Sequence, residues 1–414
     1  MNTNRCVDSM GGVEDMVCEV ESWFGAKVMG VGGTFEGMAR IALNGRLLVP
    51  GKLEGIGRFT LNTLKHLVAL RPEDDFLLVV DRPANEMFDL GPNVKVVRIR
   101  IPARRPWLIR WWFGRPLGRV LRRWKADAFV SLEGPLAMDM PLDFPQLSVI
   151  HDLNFEHRPE GLPLRWRKFY QTQFPRYAQR ADILGTVSEF SRRDLADTYG
   201  IEKAQIEVFS NAADEVFRPI EDVQIDKAQT QLALGRPYFL FVGSLHPRKN
   251  VEGLLSSFET YVEKGGAWDL VVVGAAMWAE DMPALAPNVQ ARVHAVGRLN
   301  HEALALAVGG ARGLVFVPWF EGFGIPVIEA MASGVPVIAS NVTSLPEVCG
   351  GAAFALVDPS QTRDIAQEML RLEIDPGAAE VARINVLKRA KDFSWRLTGE
   401  KMSHALNRLI DGRP

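Results

Sequence analysis

The sequence predicts two α/β domains in tandem, each a parallel sheet wound with helices on both faces. Three observations carry that expectation. Short, continuously apolar runs recur along the chain, as strands covered on both faces require. Amphipathic helical stretches separate them, so successive strands are joined by crossovers and lie parallel. The alternation occurs twice, with a polar, irregular segment (213–236) between the two series.

The first strand is ARIAL (39–43), directly after Met38. Residues 1–38 carry clustered glycines and no clean period, so they are expected to form a poorly ordered N-terminal extension, the alternative being that translation starts at Met38. The helix after the first strand is expected at 58–70, with Phe59, Leu61, Leu64, Leu67 and Val68 on one side. FLLVV (76–80), VKVVRI (94–99), DAFVSL (127–132), QLSVIHD (146–152) and DILGTV (182–187) continue the first series. Phe217–Gln231 reads as the interdomain connection. The second series is YFLFVG (238–243), LVVVG (270–274), VHAVG (293–297), GLVFVP (313–318) and VPVIAS (335–340). Doubly wound sheets bind ligands at the carboxyl ends of their strands, so the cleft between the domains is the expected site.

Composition sets the outer bounds. The chain has 414 residues, enough for two or three domains, and 47% of them are hydrophobic, which excludes wholesale disorder. A formal net charge of −2 excludes a globally basic nucleic-acid binder. Cys6, Cys18 and Cys349 are too scattered for a disulfide framework or a CxxC metal site. That fits a reducing compartment. No apolar run approaches the ~18 residues of a membrane span, and MNTNRCVDSM lacks a signal-peptide pattern. The expectation is a soluble, cytoplasmic protein.

Three glycine-rich turns follow strands. The first, Gly51 to Gly57, opens the helix at 58–70, where Gly55 and Gly57 let a ligand approach the backbone; a simple βα turn explains them as well. It is not a dinucleotide fingerprint, because position 60 is Thr. The second runs from Gly243 through Ser244 to Arg248, Lys249 and Asn250, with Asn250 as N-cap of the next helix. Two cations at a helix N-terminus oppose its dipole, so an anionic ligand would resolve the conflict. The third reads Glu321-Gly-Phe323-Gly324-Ile325-Pro326 and reaches Glu329 within the helix that follows. Its glycines free the backbone, Pro326 suits a first helical turn, and Glu321 and Glu329 can face one ligand whose hydroxyls they accept. Ser344-Leu-Pro-Glu347 has the spacing of a capping box. His151 stands at a strand end beside Asp152, facing the expected cleft.

These stretches carry a family resemblance. GIGRFT (55–60), HDLNF (151–155), TVSEFSRRDL (186–195), FVGSLHPRKN (241–250), VGRL (296–299) and EGFGIPVIEAMASGVPVIAS (321–340) resemble the retaining glycosyltransferases of family 4. SLPEV (344–348), GGAAFALVDP (350–359) and RAKDFSW (389–395) extend the likeness over residues 39–410. The resemblance implies the GT-B fold, two Rossmann-like domains facing a cleft. It implies an acceptor-binding domain at 39–217, a nucleotide-sugar-binding domain at 218–395, and a C-terminal helix at 396–414 crossing back to the first domain.

The activity so implied is hexosyl transfer from a nucleotide sugar with retained configuration, without a cofactor or metal ion. Glu321 with Phe323, Gly324 and Ile325 would contact the donor sugar, and Glu329 the ribose. Arg248 and Lys249 would hold the diphosphate. Gly55 and Gly57 would meet phosphate and sugar, and His151 would hydrogen-bond the sugar or stabilise its developing charge. Val296 and Gly297 would offer backbone groups to the base. Many relatives have Arg after the glycine matching Gly243, where this chain has Ser244. The GIGRFT, HDL and GSLxPRKN variants look most like mannosyltransferases using GDP-mannose, with a UDP-sugar enzyme as the alternative. A GT-B nucleotide-sugar epimerase and a non-catalytic subunit are more distant alternatives. The expected partners are the nucleotide sugar and a glycan or lipid-linked acceptor in surface polysaccharide synthesis, with no nucleic acid.

Residues 103–125 hold eight Arg or Lys, no acid, and four of the ten Trp. A helix from Pro116 places Leu117, Val120, Leu121 and Trp124 on one face, away from Arg119, Arg122 and Arg123. Basic charge beside aromatics suits an anionic membrane surface, at the inner face of the cytoplasmic membrane; a core face plus solvated arginines explains it equally.

Overall fold

A computed structural model of the chain describes residues 38–412, apart from 50, 52, 84–88 and 275–284. The reading of residues 1–37 as an extension lies outside the described residues.

Two parallel sheets form the scaffold. The first has seven strands in the order β3-β2-β1-β4-β5-β6-β7, with β1 Arg40–Asn44, β2 Asp75–Val80, β3 Val94–Arg98, β4 Ala128–Ser131, β5 Gln146–Val149, β6 Ile183–Thr186 and β7 Ile206–Val208. The second has six, in the order β10-β9-β8-β11-β12-β13: β8 Tyr238–Val242, β9 Asp269–Val273, β10 Val293–Gly297, β11 Gly313–Phe316, β12 Val337–Ser340 and β13 Ala355–Val357. Both are doubly wound, and the strand order reverses between β1 and β4 and between β8 and β11. Crevices at such reversals, outside the carboxyl ends of the strands, are where these sheets take ligands. Burial follows from the winding: every residue of β4, β5, β9, β11 and β12 is buried.

Three expectations about elements are corrected. The helix expected at 58–70 is Gly55–Leu70, so Gly55 and Gly57 lie in its first turn rather than in the preceding loop. The connection at 217–231 is half helix. Asp222–Ala233 is a helix opened by a capping box between Glu221 and Gln224, and it buries Ala228 and Ala233 in the second domain. Its polar surface hid that narrow apolar stripe. Ser344 makes no capping bond to the helix Leu345–Cys349.

The helix Trp395–Asp411 runs back against the helix Gly55–Leu70 of the first domain. Gly399 permits the approach, since a Cβ there would come within 2.6 Å of His66 Cβ. Thr398 Oγ1 donates to the Ser210 carbonyl at 2.6 Å, and Trp395 meets Phe59 edge-on with centroids 6.0 Å apart.

The basic segment folds as two helices, Pro106–Trp112 and Arg115–Trp124. Trp112, Leu117, Val120, Leu121 and Trp124 pack into the core, whereas Trp107 is 63% exposed and Trp111 37%. No helix among the described residues is long and apolar enough to cross a membrane.

Candidate donor site at the interdomain cleft

The turns after β8 and β11 build one charge cluster. Arg248 and Lys249 lie in a short 3-10 turn, Pro247–Lys249, after β8. Glu321 follows β11. Arg248 Nη1 donates to Glu321 Oε1 at 2.7 Å and to the Phe320 carbonyl at 3.1 Å, and Lys249 Nζ donates to the same Glu321 oxygen. Ser344 Oγ donates to the Glu321 carbonyl at 2.9 Å, which fixes the turn. The conflict between two cations and a helix start is thus met by a protein carboxylate. Burial, with Arg248 alongside, pushes the Lys249 ammonium down to about 8 against the pull of Glu321. Burial works on Arg248 too, but Glu321 and Asp152 outweigh it and hold its guanidinium above the usual value.

Asn250 does not cap the helix Val251–Glu263 with its side chain. It sits in the left-handed region at φ +54, and its Nδ2 donates to the carbonyls of Val317 (3.0 Å) and Pro359 (2.9 Å). It ties the turn after β8 to the end of β11. Gly274 is a requirement the sequence reading missed: a Cβ there would lie 1.7 Å from the Gly243 carbonyl oxygen.

Phe323, Gly324 and Ile325 lead into the helix Ile325–Ala332, whose N-cap, Gly324, has φ +97 and provides no capping side chain. The amides of this turn and the helix dipole form an anion-attracting end. Glu329 is buried in the same helix at 4% exposure. Burial pushes its carboxyl up to about 8, against the pull of Arg58, whose Nη1 is 3.6 Å away. Arg58 was not singled out from the sequence, yet it comes from the other domain. It also donates to His301 Nδ1 at 2.5 Å. His301 therefore carries its proton on Nε2, which meets Asp214 at 2.9 Å.

The first domain contributes the opposite wall. His151 Nε2 lies 2.8 Å from the Leu132 carbonyl, an acceptor, so Nε2 bears the proton and Nδ1 keeps a lone pair. Burial holds the imidazole below its ordinary range. Gly322 packs against this wall: a Cβ would lie 2.4 Å from the His151 carbonyl oxygen and 2.8 Å from Asp152 Cβ. Ser188 Oγ donates to the Gly322 carbonyl at 2.7 Å. Glu347 accepts from the amides of Glu189 (2.8 Å) and Phe190 (2.9 Å), so it caps the helix Glu189–Tyr199 of the other domain rather than its own.

Gly55 faces Ile325, with 3.3 Å between its Cβ position and Ile325 Cδ1. Gly57 has a packing cause instead, because a Cβ would stand 2.9 Å from the Leu47 carbonyl oxygen. The Ser244 carbonyl accepts from the His246 amide at 2.8 Å. Val296 is half-buried on the edge strand β10, and the Gly297 carbonyl accepts from the Gly274 amide at 2.8 Å. Both lie three strands from Glu321 in the sheet order. Among the described residues no cluster of three or more His, Cys, Asp or Glu could hold a metal ion.

Comparison with known proteins gives this geometry its family. Residues 53–216 match the family described as Glycosyltransferase Family 4, and residues 222–389 match Glycosyl transferases group 1. An O-antigen chain mannosyltransferase B of Escherichia coli is 29% identical over 254 residues, 60% of this chain and 66% of that protein. A serotype-specific mannosyltransferase WbdA of Escherichia coli is 24% identical over 253 residues, but these cover only 31% of its length. The chain thus spans less than two thirds of these relatives. The sucrose-phosphate synthase of Thermosynechococcus elongatus shares the fold, with a TM-score of 0.72 at 19% identity, covering 90% of this chain and 100% of that one.

Proposed function

We propose that this chain, which belongs to the GT-B glycosyltransferases through both of its halves, moves a mannosyl group from GDP-mannose onto a glycan or lipid-linked acceptor, with retention. The observation that carries the reading is the Arg248–Lys249–Glu321 cluster beside the uncapped helix Ile325–Ala332. The leaving group of the reaction is a nucleoside diphosphate. Its charge grows as the bond to the sugar breaks, and preorganised cations and amides are the largest stabilising factor for such a step. Arg248, Lys249 and the helix end provide both without a metal ion. Glu329 accepts the ribose hydroxyls, and Glu321 keeps the two cations aimed.

Retention follows from substitution on one face. The acceptor oxygen bonds to the anomeric carbon as the phosphate oxygen leaves, and the acceptor's proton passes to that phosphate. The neutral His151 ring offers its Nδ1 lone pair to the electron-poor sugar. Contact between the walls at Gly322 excludes water, which suppresses hydrolysis of the donor. Mannose as the sugar is supported by the relatives' activity. The exposed Trp107, Arg110 and Trp111 side chains mark the face that would meet an anionic membrane surface.

A thermal-shift series with GDP, UDP and ADP and their sugars tests the donor, because a ligand of the folded state raises the melting temperature. GDP and GDP-mannose should give the largest shifts; a larger shift with UDP replaces the donor. Glu321→Ala should abolish transfer with the fold intact, and full activity in that variant refutes the site. Chelation by EDTA should leave the rate unchanged. Flotation with anionic vesicles at low salt should carry the protein upward, and Arg110→Glu with Arg119→Glu should release it.

A further inference from the structure

The first sheet has its own buried ion pair at its own reversal point. Arg46 Nε donates to Glu133 Oε1 at 2.9 Å and Nη2 to Glu133 Oε2, while Arg46 Nη1 reaches the Ala103 carbonyl at 3.2 Å. Asn44 Nδ2, at the end of β1, donates to Glu133 at 2.6 Å and to Ser131 Oγ, at the end of β4, at 3.0 Å. The Glu133 side chain is 4% exposed and that of Arg46 15%. Taking such a pair out of water is costly, and an apolar pair of similar volume often serves stability as well or better. The place of this pair, at the carboxyl ends of β1 and β4, is where a doubly wound sheet meets a ligand.

Two polar groups beside it have capacity to spare. Asp152 Oδ1 accepts from the Asn154 amide at 3.0 Å and from Asn154 Nδ2, and Oδ2 has no hydrogen bond among the described residues. Tyr170 stacks between Phe155 and Trp166, with centroids 5.1 and 5.8 Å away, so its ring is held firmly. Its hydroxyl likewise has no hydrogen bond among the described residues. Burial raises the phenol's pKa, and Arg46, Glu133 and Asp152 all stand close enough to bias it. Asp152 also abuts Gly322 and lies within electrostatic reach of Arg248 and Lys249. It stands where the two walls meet.

We propose that Asp152 and Tyr170, backed by the Arg46–Glu133 pair, form the acceptor subsite, and that the subsite takes an uncharged sugar through its hydroxyls. The proposal rests on the reading of the chain as a glycosyltransferase. Oδ2 of Asp152 accepts from one sugar hydroxyl and the Tyr170 hydroxyl bonds a second. Arg46 is committed to Glu133 and Ala103, so the pair that backs the subsite has no guanidinium to give an anion. A phosphate or carboxylate on the accepting sugar meets the Asp152 charge instead. The acceptor hydroxyl is thereby delivered to the anomeric carbon held at the Glu321 wall.

Calorimetry on the full chain separates the two ligands. GDP reports the donor pocket, and methyl α-mannoside, added at saturating GDP, reports the acceptor subsite, with mannose 6-phosphate as its anionic counterpart. The neutral glycoside should bind, and the phosphate at least about tenfold more weakly. Asp152→Ala should weaken the glycoside by about tenfold, and the isosteric Tyr170→Phe by about threefold, with no loss of GDP affinity in either. No glycoside binding to the wild-type chain, tighter binding of the phosphate, unchanged glycoside affinity in both variants, or a parallel loss of GDP affinity overturns the subsite. Failure of GDP to bind while the glycoside does would overturn the donor reading and leave the subsite standing.

Discussion

Between β8 and β11 the second sheet holds Arg248 against Glu321, and between β1 and β4 the first sheet holds Arg46 against Glu133. Both pairs are partly or wholly withdrawn from water, and both stand where the strand order reverses. Their surroundings differ in charge. Beside Glu321 there is a second cation, Lys249, and an uncapped helix start. Glu133 accepts from the side-chain amide of Asn44, and the Tyr170 hydroxyl lies within electrostatic reach of both Glu133 and the carboxylate of Asp152. One scaffold therefore yields an anion-seeking wall and a hydroxyl-seeking wall, and the second partner at each pair decides which.

The largest expected effect breaks that comparison if it is symmetric. Lys249→Met should weaken GDP by about 100-fold, since the proposed donor site would lose a buried, charge-assisted contact to the diphosphate. The paired replacement Arg46→Met with Glu133→Leu, which leaves no orphaned charge, should keep GDP within about twofold by calorimetry. Equal losses in the two variants would show that both pairs serve the donor.

The second effect is in pH. Lys249 is pushed down to about 8, so it loses its proton as the pH rises through that value. A diphosphate needs the charged form, so GDP affinity should fall by about tenfold per pH unit above about 8. Lys249→Met should flatten that slope, and a slope that survives in the variant assigns the titration elsewhere.

Glu329 sharpens the comparison from a third side. It faces Arg58 at 3.6 Å, without the close geometry of the other pairs, and burial pushes it up to about 8. A raised carboxyl is more protonated folded than unfolded, so the folded state loses stability as the pH climbs from about 4.5 to about 8. Glu329→Gln removes that loss. Its stabilisation over wild type should be about 1–3 kcal/mol greater at pH 9 than at pH 6, read by urea unfolding. An advantage independent of pH would mean that Glu329 does not titrate there.

The contrast between the walls also explains what could be read from the chain. The donor wall is assembled from two contiguous stretches, 243–250 and 321–329, so its glycines, cations and carboxylates show themselves as spacing. The acceptor wall draws single residues from Asn44, Arg46, Ser131, Glu133, Asp152 and Tyr170. No spacing links residues on three different strand ends and a helix, and only the sheet brings them together. Arg58 was missed for the same reason, since its partner Glu329 lies in the other domain. The alternating strands were legible because burial on both faces leaves continuous apolar runs. The helix Asp222–Ala233 was not, because it buries little and reads as polar. Gly57 shows the converse error: a glycine in a promising turn is required by the Leu47 carbonyl.

The two walls act together only while they face each other, and Glu347 tests that dependence with the smallest expected effect. Its carboxylate, from the second domain, receives the first two amides of the helix Glu189–Tyr199 in the first. Ser188 and Ser191 reinforce the junction by donating to the Gly322 carbonyl at 2.7 and 3.2 Å. Glu347→Ala removes a helix cap and should cost about 1 kcal/mol of stability. Loss of a structural cap alone would stop there. Loss of the link between the walls adds a kinetic signature: KM for the acceptor should rise about threefold while GDP affinity holds, because Arg248, Lys249 and Glu329 all lie on the side that does not move. Equal changes for both substrates would show that the donor site needs the opposite wall as much as the acceptor does.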